Sequence, residues 1–140
     1  MAAPNPTPRS RPDEGLPGAL GQAGAAQGEP AMQTLCPVRN QVGESPLWSV
    51  AEQALYWVDI EGRRIHRFDW SARSEQSWAV AERIGCIALH AQGGLLAAME
   101  SGLFHVRLNG DGTSTSERLH AVTFPRQGMR FNDGRTDRAG

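Results

Sequence analysis

From Leu35 onward the chain alternates short apolar runs with turn residues, and the pattern returns about once every 40 residues, the period of a propeller blade. In the first unit Leu47 and Trp48 follow a Ser-Pro turn, and residues 54–60, 64–69 and 74–80 read as three further strands. In the second, residues 86–89, 95–99, 103–108 and 113–119 repeat that order, with Gln92-Gly93-Gly94 as a hairpin turn. A shift of 40 sets Leu55 on Leu95, Gly62 on Gly102, Phe68 on Leu108 and Asp69 on Asn109, and Phe131 opens a third unit. No stretch carries helical periodicity long enough for a βαβ arrangement.

Repeated four-stranded antiparallel sheets of this period define an all-β fold, the β-propeller, which closes its ring with about four to eight blades. Two blades and the start of a third leave faces and edges uncovered, so the expectation is a fragment, a truncated gene product or a frameshifted one.

Residues 1–34 have a different texture. Six of the nine prolines stand at positions 4, 6, 8, 12, 17 and 30, and no aromatic residue precedes Trp48. Such a segment buries too little apolar surface to offset its ordering entropy and is expected to be a disordered Pro/Gly/Ala-rich tail. Residues 35–140 are then the partial propeller. Arg9 and Arg11 are followed by Pro12, Asp13 and Glu14 rather than an apolar run, which excludes a secretory signal, and no stretch is long enough to span a bilayer. A net charge of −1 with interspersed signs gives neither a nucleic-acid stripe nor a polybasic membrane patch. Cys36 and Cys86 fit no CxxC pattern, so a cytoplasmic protein with two free thiols is expected.

Two stretches carry chemistry. Arg130-Phe131-Asn132-Asp133-Gly134 sets a cation, an amide and a carboxylate side by side, and Gly43-Glu44-Ser45-Pro46 stands two repeats earlier, 88 residues separating Glu44 from Asn132. Taken singly, Glu44 reads as a solvated loop carboxylate, Asn132-Asp133-Gly134 as a turn and Arg130 as a sheet-edge cation. Their shared phase in the repeat gives the functional reading, because innermost strands line the central channel. An oxygen-only pairing of Glu and Asn suits a hard divalent cation such as calcium, magnesium or manganese. His66, His90, His105 and His120 have no ligand spacing and read as surface or strand-face residues. Asn109-Gly110-Asp111-Gly112-Thr113 imitates the start of an EF-hand loop, but Ser114 and His120 stand where that loop needs Gly and Glu, leaving a hairpin turn. The four tryptophans read as packing between blades.

Gly43-Glu44-Ser45-Pro46-Leu47-Trp48, Leu55-Tyr56-Trp57-Val58-Asp59-Ile60 and Arg130-Phe131-Asn132-Asp133-Gly134 together resemble the SMP-30/gluconolactonase/LRE (regucalcin) family over roughly residues 35–140. The resemblance implies a six-bladed propeller that hydrolyses a small-molecule sugar lactone with one divalent metal ion (Ca, Zn, Mn or Mg), without nucleic acid or membrane partners. It places the first metal ligand on Glu44, substrate binding on Arg130 and Asn132, and a turn or supporting role on Asp133. The family's catalytic base and its remaining Asn and Asp ligands fall beyond residue 140, so no catalytic residue is expected within this chain, and the 140 residues alone are expected to be inactive with weak metal affinity. The alternative is a non-catalytic calcium-binding or scaffold propeller.

Overall fold

The computed structural model describes residues 32–137. The tail expected to be disordered lies, up to residue 31, outside the described residues. The sheets belong to the compact unit Thr34–Gly140.

Eight strands form in chain order: β1 (Gly43–Ser49), β2 (Ala54–Asp59), β3 (Arg64–Asp69), β4 (Ser74–Ala79), β5 (Ile84–Leu89), β6 (Leu95–Met99), β7 (Gly102–Leu108) and β8 (Ser114–Ala121). They make two four-stranded sheets of order β1-β2-β3-β4 and β5-β6-β7-β8, every neighbouring pair antiparallel. No helix forms among the described residues, and the two sheets are two successive blades of a propeller.

Why the blades stack follows from the period of two along each strand. In β2, Ala54, Tyr56 and Val58 are buried while Leu55 and Trp57 are half-buried, so one face is dry and the other is not. The dry face joins Ile60 and Ile65 to Ile84, Ile87, Leu95, Ala97, Met99 and Val106 of the second blade in one core. Each fully buried aliphatic side chain contributes about 1.5–3 kcal/mol relative to exposure, so this shared layer is the main bond between blades. Polar contacts finish the seam. The Trp78 indole N–H donates to the Asn109 carbonyl at 2.8 Å, and the Ser114 hydroxyl donates to the Ala79 carbonyl at 2.8 Å. Strand β8, outermost in its sheet, is exposed along nearly all its length.

The structure corrects the sequence reading in three places. Strand β1 begins at Gly43, so Glu44 lies within the inner strand instead of ahead of it. Ile60 falls just past the end of β2, although it is buried. The uniform shift of 40 fails already at β6: buried Ala54, Tyr56 and Val58 of β2 answer to buried Leu95, Ala97 and Met99, a shift of 41 that sets Leu55 on Leu96. It fails again at β7, where Ala54 pairs with Asp69 but Leu95 pairs with Val106, so Val106 takes the place expected of Asn109. The cause at β7 is turn length. Residues 60–63 connect β2 to β3, whereas Glu100 and Ser101 alone connect β6 to β7, and Gly102 is a strand residue paired with Met99 rather than a turn glycine like Gly62.

The tryptophans divide. Trp78 is buried between the blades as expected, but Trp48 and Trp70 are 41% and 50% exposed, edge to face with centroids 6.2 Å apart, and Trp57 stacks on His66 at 5.0 Å. Of the histidines, His66 and His105 are buried on strand faces and His120 is exposed. Asn109 to Thr113 forms the expected turn: the Thr113 N–H and hydroxyl both donate to Asp111 Oδ1, at 2.9 and 2.6 Å.

Candidate functional site

The site is assembled from three adjacent inner segments: the start of β1, the start of β5, and the extended stretch 130–136. Glu44 pairs with Val58, and regular pairing resumes only at Leu47 with Tyr56, so Ser45 and Pro46 bulge opposite Trp57. The residue forming the bulge, Ser45, is 4% exposed and sits in the left-handed region with φ 54. Proline at the next position removes no ladder bond from a bulge, because it has no N–H to offer.

The segment leading into Glu44 is fixed by a buried carboxylate. Asp59, 5% exposed, accepts the backbone N–H groups of Gln41 (2.9 Å), Val42 (3.0 Å) and Gly62 (3.1 Å). Burial pushes its pKa up, but the three N–H donors, aided by His66, outweigh burial and hold it below the usual aspartate value. Glu44 itself is exposed, and its carboxylate makes no hydrogen bond or ion pair among the described residues. It borders a groove of about 260 Å³ with Asn40, Gly43, Pro46, Leu55 and Trp57.

Strand β5 carries the matching irregularity. Ile84 pairs with Met99 and Cys86 with Ala98, leaving Gly85 as the extra residue. A Cβ on Gly85 would lie 2.2 Å from the Phe131 carbonyl oxygen and 2.7 Å from that of Asn132, so only glycine lets the third inner segment seat there. Phe131 is half-buried and packs edge to face on Phe124 with centroids 5.3 Å apart. One Arg130 guanidinium nitrogen donates to the Phe131 carbonyl at 2.8 Å and to Asn132 Oδ1 at 3.4 Å. The structure thus brings Arg130 and Asn132 together, while Glu44 stands apart on β1, with no hydrogen bond to either. Asp133 accepts the Gly134 N–H at 2.8 Å, and no turn forms at this position, so the turn role expected of it is not what the structure shows. Arg135 reaches back across the site to the Pro46 carbonyl at 3.5 Å. The Cys86 thiol is pushed up by burial and by Asp133, against a smaller opposing effect of Arg135, which leaves it protonated and unreactive at neutral pH.

Among the described residues no cluster of three His, Cys, Asp or Glu side chains is placed to hold a metal ion. Glu44 fits a single carboxylate ligand of a hard cation and no more. A larger cleft of about 520 Å³, lined by Glu52, Tyr56, Arg67 and Gly93 among others, lies at the other end of the strands, where β1 turns into β2 and β5 into β6. Sequence reasoning missed Ser45, Asp59 and Gly85 as site residues. The first two lay inside quoted motifs, and the signal for Gly85 was a lone glycine within a strand pattern.

Two stacked four-stranded antiparallel blades, with an exposed carboxylate on β1 and an Arg-Asn pair on the stretch 130–136, define this chain as part of a β-propeller. The chain matches the family described as SMP-30/Gluconolactonase/LRE-like region over residues 42–140, and it belongs to that family. It is 40% identical over 104 residues to the 6-deoxy-6-sulfogluconolactonase of Pseudomonas putida, covering 73% of this chain and 35% of that protein. It is 38% identical over 100 residues to the regucalcin of Xenopus laevis, covering 71% and 32%, and 35% identical over 113 residues to the L-arabinolactonase of Azospirillum brasilense, covering 76% and 34%. The solved structure of a luciferin-regenerating enzyme superposes with a TM-score of 0.65 at 25% identity, covering 72% of this chain and 34% of that one. The chain spans about a third of the length of the curated relatives it matches. No helix among the described residues is long and apolar enough to cross a membrane.

Proposed function

We propose that this chain carries the first part of the active site of a divalent-metal-dependent sugar lactonase, acting on an aldonolactone. Relatives named for sugar lactones support the substrate class. The observation that carries the reading onto these residues is the exposed, unpartnered Glu44 carboxylate on the innermost strand, with the Arg130 and Asn132 pair two inner segments further on.

Glu44 would serve as one carboxylate ligand of a calcium, zinc, manganese or magnesium ion, the other ligands and the base coming from later blades of the whole propeller. Bound there, the cation would supply Lewis-acid polarisation of the lactone carbonyl. The Asn132 amide and the Arg130 guanidinium, held against each other, orient the ring and hydroxyl oxygens of the sugar and so reduce the search for an attack geometry. The backbone of the segment that carries Asn132 seats against Gly85.

The test is lactone hydrolysis, followed as a fall in pH with manganese, zinc or calcium present, on this chain and on a version continued through the reading frame that follows codon 140. Activity of the continued form that disappears in Glu44→Gln is the expected result. Folded continued protein without activity on any aldonolactone would replace this reading with the non-catalytic calcium-binding or scaffold propeller.

A further inference from the structure

Among the described residues four non-glycine side chains stand on a left-handed backbone: Ser45, Gln53, Arg63 and Arg73. Gln53, Arg63 and Arg73 each close a turn between strands, where that conformation is ordinary. Ser45 alone lies inside a strand, next to Glu44. Serine is not the residue that backbone sterics favour at φ 54, since glycine adopts it without a Cβ penalty.

What serine supplies there is its hydroxyl. Ser45 Oγ accepts the backbone N–H of Ile87 at 3.1 Å, buried, across 42 residues of sequence. Ile87 lies in β5, the inner edge of the second blade, and pairs with Ala97 of β6. As an edge strand, β5 has no further strand to take its inward N–H groups, and an unpaired buried N–H is costly. Ser45 fills that need from the neighbouring blade. The same residue therefore sets the bulge in β1 and ties the bulge to β5.

We infer that Ser45 is a positioning residue for Glu44: its left-handed backbone turns the strand at the bulge, and its hydroxyl bond to Ile87 fixes that bulge against the second blade, so that the backbone from which the Glu44 side chain leaves is held in one orientation. This rests on the reading of Glu44 as a cation ligand. Two constraints bracket the glutamate. Asp59 holds Gln41 and Val42 just before it, and Ser45 holds the chain just after it. Pro46 extends the constraint, because its carbonyl meets Arg135 of the third inner segment. The backbone on either side of Glu44 is thereby tied to the second blade and to the segment that carries Asn132.

The test compares the isotope-labelled full chain with Ser45→Ala, Ser45→Gly and Glu44→Gln by NMR. Three quantities are read: Ile87 amide exchange, the residual dipolar coupling of the Glu44 amide, and Mn²⁺-induced broadening near residue 44. Ser45→Ala keeps the strained backbone and removes the hydroxyl; Ser45→Gly removes both, so its melting temperature stays within a few degrees of the parent while the tether is lost. In both, Ile87 exchange rises about tenfold, the Glu44 coupling changes, and about tenfold more Mn²⁺ is needed for the same broadening. A stable variant with faster Ile87 exchange but an unaltered Glu44 coupling and Mn²⁺ titration would overturn the inference, leaving Ser45 a purely structural tether. If Ser45→Ala does not fold, Ser45→Gly decides. If the parent and Glu44→Gln broaden alike, the cation reading has failed, and the Glu44 coupling alone then decides for or against positioning.

Discussion

The Asp59 carboxylate and the backbone N–H of Val42 lie 3.0 Å apart, joining the end of β2 to the approach of β1. Through this bond and those to Gln41 and Gly62, one buried side chain satisfies three backbone donors at the start of the candidate site. Replacing it exposes the role. Asp59→Ala leaves those donors unpaired and is expected to lower stability by about 3 kcal/mol or more, with Asp59→Asn costing less. Denaturant midpoints of the two variants check this; a midpoint for Asp59→Ala equal to the parent's would show that water replaces the carboxylate at no cost.

The same carboxylate gives a signed pH dependence. Its folded pKa is held below the ordinary aspartate value of 3.8, so its contribution is fully present above that value and declines as pH falls toward the lower folded pKa. Acid unfolding followed at several denaturant concentrations should therefore lose this component in Asp59→Asn. An unchanged slope of stability against pH below 4 in that variant would contradict the assignment.

Tyr56 is the single tyrosine of the chain, which makes its titration directly visible in the ultraviolet. Burial, then the hydrogen bond to Glu52 and the charge of that residue, push it up to about 12, against a smaller lowering by Arg67, whose Nε donates to the phenol oxygen at 3.1 Å. A group whose pKa is raised on folding stabilises the fold below its unfolded value near 10 and loses that contribution as pH climbs toward 12. Tyrosinate absorbance should remain low at pH 10.5 in the folded chain and appear at about half a unit to one unit lower pH in Glu52→Gln. Coincident titrations would mean that the glutamate does not act on the phenol.

Gly85→Ala tests the seat of the third inner segment. Its new Cβ would overlap two backbone carbonyls, neither of which can swing aside like a side-chain tip. A loss of about 1–3 kcal/mol is expected, together with faster proteolysis within residues 124–137. Equal protection of that stretch in the variant would show that Phe131 and Asn132 seat elsewhere.

Arg130→Lys tests the substrate grip. A lysine keeps the charge but lacks the planar fork, so in an active, continued form of the protein KM for an aldonolactone should rise about tenfold, with kcat changing less. A fall in kcat at unchanged KM would instead place Arg130 in the chemical step.

The fold was legible because strand periodicity and turn residues are local. Residues 54–59 announce their strand through aromatic and β-branched positions, residues 95–99 theirs as a short apolar run after a Gly-Gly turn, and the Asn109 to Thr113 turn its form through its own side-chain bonds. The register was not legible, because a one-residue slip between β2 and β6 and a connection shortened to Glu100 and Ser101 both shift the pairing without altering composition. The pairing of Arg130 with Asn132 follows from adjacency in sequence, whereas the phase of the repeat set Glu44 only ahead of the inner strand, and the structure puts it within β1. What only the tertiary structure decided is how these groups are held: the Ser45 hydroxyl finds Ile87, Asp59 finds Gln41 and Val42, and Gly85 receives Phe131 and Asn132. Each of those contacts joins residues at least 17 apart in sequence, and such meetings arise from the pairing of β1 with β2 and from the stacking of inner segments, which no local pattern of side chains encodes.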